Sequence, residues 1–375
     1  MAPRLHQTPP TMLKRIVALA GARALVLASL ALAATFTAGA LRATGSSAVA
    51  VFCMTAIALA SFAAVVGQAT DHLRVRLGTG AAGVLQSALG NLPELFISIF
   101  ALRAGLVVVV QTALIGSILA NTLLILGLAF FIGGVRHGPQ KFGATTSRMM
   151  AMLLVLSVAS LAIPTFATAP RAPDFGHRVD LSIVTAIVLL VVFAGSLPMS
   201  IRGTLAPSCE QSERDEPVWP LGAAIALLLF AGVGAALVSD WFVEALRPTM
   251  ASLRMSEEFV GLVIVAIAGN AVENVVGIAA AARNHAELAV SLILNSSLQI
   301  ALLLIPVLVL VSALMSGPAL TLVAPTLLVA ALALTAVLVA MIIFDGESNY
   351  VEGLALIGLY VIIAASVWFG APIAA

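Results

Sequence analysis

An all-α polytopic membrane protein is the fold class this sequence predicts, with about 11 transmembrane helices arranged as one N-terminal helix and two inverted five-helix repeats. Three observations carry that reading. Apolar stretches of about 20 residues, the length that crosses a bilayer, follow one another along the chain. Of its 375 residues, 61% are hydrophobic and 9% charged, a balance that leaves no room for a soluble domain. The motif "GNLPE" at 90–94 returns as "GNAVE" at 269–273.

Hydropathy, punctuated by charge, proline and glycine, predicts spans over 16–41, 46–69, 77–102, 106–133, 146–167, 180–201, 219–246, 258–282, 286–313, 320–343 and 351–373. Residues 1–45 form an N-terminal tail and the first transmembrane helix. That helix follows Lys14 and Arg15, so a cleaved signal peptide competes with it, but its apolar tract exceeds the ~7 to 15 residues of a signal core. Residues 46–201 form the first repeat and 219–375 the second. Between them, 202–218 is an acidic linker with Glu210, Glu213, Asp215 and Glu216, read as a solvated cytoplasmic segment.

Arg and Lys set the orientation. With the N-terminus inside, the tail and even-numbered loops hold Arg4, Lys14, Arg15, Arg74, Arg76, Arg136, Lys141, Arg148, Arg202, Arg214 and Arg283. The opposite side holds Arg42, Arg103, Arg171, Arg178, Arg247 and Arg254. This bias predicts a multi-pass protein of the cell inner membrane, N-terminus cytoplasmic and C-terminus external. Basic residues at span ends are interface placement, which excludes a nucleic-acid face. Cys53 and Cys209 have no paired spacing, so a disulfide framework is excluded. The five histidines lie at span ends or in loops, which argues against soft-metal chemistry in the membrane, and no cofactor is expected.

An offset of 179 carries Gly90, Asn91 and Glu94 onto Gly269, Asn270 and Glu273, and Gly116-Ser117 onto Asn295-Ser296. Each half has five spans, an odd number, so matched helices must run oppositely across the bilayer, as in many secondary transporters. Of the 17 acidic residues, Glu94 and Glu273 are the two near span centres. A central charge costs at least ~2.5 to 3.5 kcal/mol, and no central Lys or Arg is there to pair with them. Protons would neutralise both, or a divalent cation would pair with both, and the two solutions exclude each other. A site alternating between them is the core of an antiporter.

Calcium takes about 6 to 8 oxygens, so two carboxylates need help. Asn91, Glu94 and Ser98 share one helical face, as do Asn270 and Glu273; Ser117 with Asn121, and Ser296 with Gln299, do so in the following spans. Pro93 cannot donate to the carbonyl of Leu89, which frees that oxygen toward the site. The second half lacks this proline, so its opening depends on Gly269 and the half-sites are expected to be unequal. Asp71, Asp240, Glu244, Glu257 and Glu258 read as interface residues.

The segments "GNLPELFISIFALRAG", "IGSILANTLLILGLAFFIGG", "SEEFVGLVIVAIAGNAVEN", "NSSLQIALLLIPVLVLVS" and "DGESNYVEGLALIGLYVIIA" resemble the calcium/proton exchangers of the calcium/cation antiporter superfamily. The resemblance covers most of 46–373. It implies eleven helices, Glu94 and Glu273 as central ligands taking calcium or protons in turn, help from polar groups of 106–133 and 286–313, and an acidic linker. Asn274 stands where that family usually has His, Asn295 where it has Gly, and Pro93 where small residues are common, as in the sodium/calcium branch.

The expectation is a secondary active antiporter, not an enzyme, that exports calcium from the cytoplasm in exchange for protons. Its partners are calcium, protons and the lipid bilayer. The alternative is a sodium-coupled exchanger of calcium or another hard divalent such as manganese. An intramembrane hydrolase is disfavoured because no Ser/His or HExxH arrangement is present, and because acid and base roles need unlike environments. A nontransporting scaffold would bind cations without moving them.

Overall fold

The computed structural model describes residues 12–169, 175–201, 219–315 and 317–370; for 12–22, 71, 74–89, 175 and 198–201 it describes the backbone alone. The acidic linker and residues 1–11 lie outside the described residues.

Twelve helices are described, which we number in chain order: α1 (Met12–Ala43), α2 (Ala48–Gly90), α3 (Leu92–Arg103), α4 (Val107–His137), α5 (Ala144–Ala167), α6 (Arg178–Ile201), α7 (Leu221–Leu253), α8 (Glu257–Gly269), α9 (Ala271–Ala282), α10 (Ala286–Leu314), α11 (Thr326–Ile342) and α12 (Tyr350–Phe369). Eight described helices are long and apolar enough to cross a membrane, or nine if α8 and α9 form one bent span. The bend between them is 66°. Helix α11 is shorter and equally apolar.

The spans predicted at 46–69 and 77–102 divide differently from expectation. Helical backbone continues through 70–76 to Gly90, and the interruption falls at Asn91. Charge lowers hydropathy without breaking a helix, and the stretch "DHLRVR" contains no proline. Pro93, in the first turn of α3, is what the helix cannot continue through.

The second half breaks at Asn270 without a proline. The backbone angles at the two breaks are close, φ −94°, ψ 16° at Asn91 and φ −108°, ψ 14° at Asn270. The Asn270 side chain supplies the missing bond, its Nδ2 donating to the Ala266 carbonyl at 3.1 Å. That offsets part of the cost of interrupting a buried helix.

Three π-helical turns interrupt the long helices: Ala120–Ile125 in α4, Val260–Val265 in α8 and Ile300–Leu304 in α10. The first and third sit at matched positions of the two halves. Such turns are frequent at functional sites, because the extra residue re-aims neighbouring side chains.

Helices α1, α2 and α7 pack against one another, while α4 is enclosed by α8, α9, α10 and α12. Small residues allow the closest crossings. A β-carbon at Gly353 would stand 2.5 Å from the Phe131 amide nitrogen and 2.6 Å from the Gly127 carbonyl oxygen, so α4 and α12 touch backbone to backbone.

Loops of like parity meet. At one end Arg42 pairs with Glu244 at 2.5 Å, and Arg247 donates to the Ala104 carbonyl. At the other, Gln140–Lys141 and Glu347–Ser348 form a two-residue antiparallel ladder, Lys141 pairs with Glu347, and His137 contacts the Ala282 carbonyl. Of the acids read as interface residues, Glu244 is exposed and ion-paired, whereas Glu258 is buried near the start of α8.

Candidate ion-binding site

The two helix breaks face each other across the molecule. Glu94, in the first turn of α3, lies against Gly269 at the end of α8; a β-carbon on that glycine would be 3.6 Å from Glu94 Cβ and Cγ. Glu273, in the first turn of α9, lies against Gly90 at the end of α2, with Oε1 3.1 Å from where a β-carbon would stand. Each carboxylate thus sits beside the glycine that opens the other half's motif.

Hydrogen-bond donors from both halves converge on them. Ser117 Oγ donates to Glu94 Oε1 at 2.5 Å, and Asn270 Nδ2 lies 3.1 Å from Ser117 Oγ and 3.4 Å from Glu94 Oε2. Ser296 Oγ donates to Glu273 Oε2 in an equally short contact, and Asn121 Nδ2 donates to Ser296 Oγ at 3.1 Å. In each case a serine serves the glutamate of its own half and accepts from an asparagine of the other. Among the described residues, neither carboxylate forms an ion pair with Lys, Arg or His.

Asn91 and Asn270 are equivalent by sequence but have different partners. Asn270 reaches the Glu94–Ser117 pair, whereas Asn91 Nδ2 donates to Gln299 Oε1 at 3.2 Å. The part that Asn270 plays toward Ser117 is taken by Asn121 toward Ser296, although these asparagines do not align. Asn121 lies in the π turn of α4, and Gln299 immediately precedes that of α10. Leu89 belongs to the last turn of α2. Ser98 is buried one turn beyond Glu94.

The half-sites differ in access. Glu94 is 2% exposed. Glu273 lines a cavity of about 300 Å³ together with Asn270, Asn295, Ser296 and Gln299, and with Ala63, Val66, Gly67 and Thr70 of α2. These α2 residues escaped sequence reasoning because nothing in "AVVGQAT" departs from an ordinary small-residue span. Gly261 and Thr112 escaped it too: a β-carbon at Gly261 would collide with Thr112 Oγ1, which shows how closely α8 crosses α4.

This crossed pair of acids invites comparison with known proteins. A model of the sodium/calcium exchanger protein family matches residues 47–202 and 223–369, once in each half. The chain belongs to that family. The chain is 34% identical over 322 residues to the Ca(2+)/H(+) antiporter ChaA of Bacillus subtilis, covering 84% of this chain and 90% of that one. It is 31% identical to the vacuolar calcium ion transporter of Schizosaccharomyces pombe, covering 85% and 79%. Among solved structures, native YfkE superposes with a TM-score of 0.78 at 28% identity, covering 92% of this chain and all of YfkE. The H+/Ca2+ exchanger CAX, at 17% identity and a TM-score of 0.71 over 92% and 91%, shares the fold. The chain is accordingly a multi-pass membrane protein of the calcium/proton exchanger family.

Proposed function

We propose that the exchanger is a secondary active antiporter that moves calcium out of the cytoplasm in return for protons, with Glu94 and Glu273 as the groups that carry either occupant. One observation supports this above others. Two carboxylates, one from each half, lie crossed over each other's motif glycine, surrounded by neutral donors and without a basic partner among the described residues. A pair of acids in that setting needs protons or a cation to be neutral.

In this reading deprotonation of both carboxyls admits the cation. Further oxygens come from Ser117, Ser296, Asn121, Gln299, Asn91, Asn270 and the Leu89 carbonyl, enough to approach the 6 to 8 that calcium takes. The serine hydroxyls, which now donate to the glutamates, turn their lone pairs to the ion. Inverted repeats supply the alternation of access, each half adopting the other's arrangement in turn. With the N-terminus inside, the cavity beside Glu273 opens to the cytoplasm, so calcium loads there. Moving two charges outward against 100 mV costs about 4.6 kcal/mol, which two entering protons cancel electrically.

The deciding experiment uses purified protein in liposomes. Calcium flux should follow a pH gradient without sodium, and Glu94→Gln or Glu273→Gln should each abolish it with folding intact. Flux that requires a sodium gradient at fixed pH would replace proton coupling by sodium coupling. Undiminished flux in either glutamine variant would remove the two acids from the mechanism.

A further inference from the structure

The halves differ at the close crossing of α4 and α8. Gly116 of α4 packs so tightly on α8 that a β-carbon there would stand 2.6 Å from Leu262 Cα and 2.8 Å from its carbonyl carbon. Gly261 of α8 makes the reciprocal approach, where a β-carbon would lie 2.6 Å from the Val109 carbonyl oxygen. These obstacles are backbone, so no rotamer relieves them. A glycine at 116 is a condition for this closed crossing.

The offset of 179 maps Gly116 onto Asn295 and Leu262 onto Gly83. Asn295 lines the open cavity beside Glu273, where its side chain has space. If the opposite-facing state arises by the two halves exchanging arrangements, as the antiport reading above requires, α10 must then approach α2 as α4 now approaches α8. Asn295 would carry its β-carbon onto the backbone at Gly83. Losing the side chain at 83 does not remove that backbone.

We propose that Asn295 is a wedge that keeps α10 and α2 from closing fully and so biases the protein toward the conformation described, with the Glu273 cavity open. The two directions of the cycle are therefore unequal. The β-carbon, not the amide, does this.

The test is thiol labelling of Val276→Cys, a residue that lines the cavity, in a chain with Cys53 and Cys209 replaced by Ser. A membrane-impermeant maleimide is applied from the cavity side to vesicles. Asn295→Gly should lower the labelling rate by at least about three-fold by shifting population to the closed-cavity state. Asn295→Ala retains the β-carbon and should label like the parent. Gly116→Ala, which puts a β-carbon into the crossing that is closed now, should also lower labelling. Parental rates in Asn295→Gly, or an equal fall in Asn295→Ala, would overturn the wedge. Proton-driven calcium flux by the same vesicles, and its loss in Glu94→Gln and Glu273→Gln, tests the antiport reading separately, so either can fail alone.

Discussion

Glu273 rests on Gly90, its Oε1 3.1 Å from the point a β-carbon would occupy, while the matching contact of Glu94 on Gly269 is looser at 3.6 Å. The two glycines open the same sequence motif, yet only one is sterically committed.

Gly90→Ala should therefore slow calcium flux about ten-fold, because the Glu273 carboxylate has to shift and small displacements of a binding group are costly. Gly269→Ala meets ordinary van der Waals contact and should stay within about two-fold. Initial rates in liposomes compare them, and equal losses would contradict this geometry.

The serines should separate in the same manner. Glu94 is sealed from water, so Ser117→Ala leaves its carboxylate short of a donor that nothing replaces; a hydrogen bond to a buried charged group is worth about 1.5 to 3 kcal/mol, or roughly ten- to a hundred-fold in cation affinity. Glu273 faces a cavity where water can substitute, so Ser296→Ala should cost less. Calcium titrations of the two variants at one pH provide the comparison.

Acidification should weaken calcium binding. A protonated carboxyl cannot hold the cation, so calcium displaces protons, and apparent affinity falls as pH falls, about ten-fold per pH unit for each proton displaced. Calcium binding measured at several pH values gives the slope. A flat profile would mean the carboxyls do not exchange occupants.

The ion pair of Lys141 with Glu347 should matter little, although it ties the two halves at one end of the molecule. Both side chains are largely exposed, and such pairs contribute about 0 to 1 kcal/mol. Glu347→Ala should leave the thermal midpoint in detergent within about 2 °C of the parent. A large drop would mean the neighbouring two-residue ladder depends on the pair.

Both glutamates and the residues that touch them were legible because each departs from what a membrane span tolerates: an acid, an amide or a hydroxyl where neighbours are Leu, Val and Ala. The residues that shape access were not. Thr70 and Gly67 are ordinary span residues, and their place beside Glu273 follows from how α2 packs. For want of a proline the sequence assigns the opening of the second half to Gly269 alone; in the structure a side-chain bond from Asn270 to Ala266 accompanies a backbone turn like that at Asn91, and sequence spacing alone does not reveal where an asparagine amide will reach.

Sequence by itself determined that the chain is built of successive apolar stretches long enough to cross a membrane, and that an offset of 179 residues carries one Gly-Asn…Glu motif onto the other, since composition and periodicity are local properties of the chain. Tertiary structure decided which asparagine serves which serine, that Asn91 turns to Gln299 while Asn270 turns to Ser117, and that Glu273 lines a cavity while Glu94 is buried. Those outcomes depend on how closely helices cross, and the crossing distance is set by β-carbons present or absent on residues far apart in the chain, such as Gly116 and Leu262.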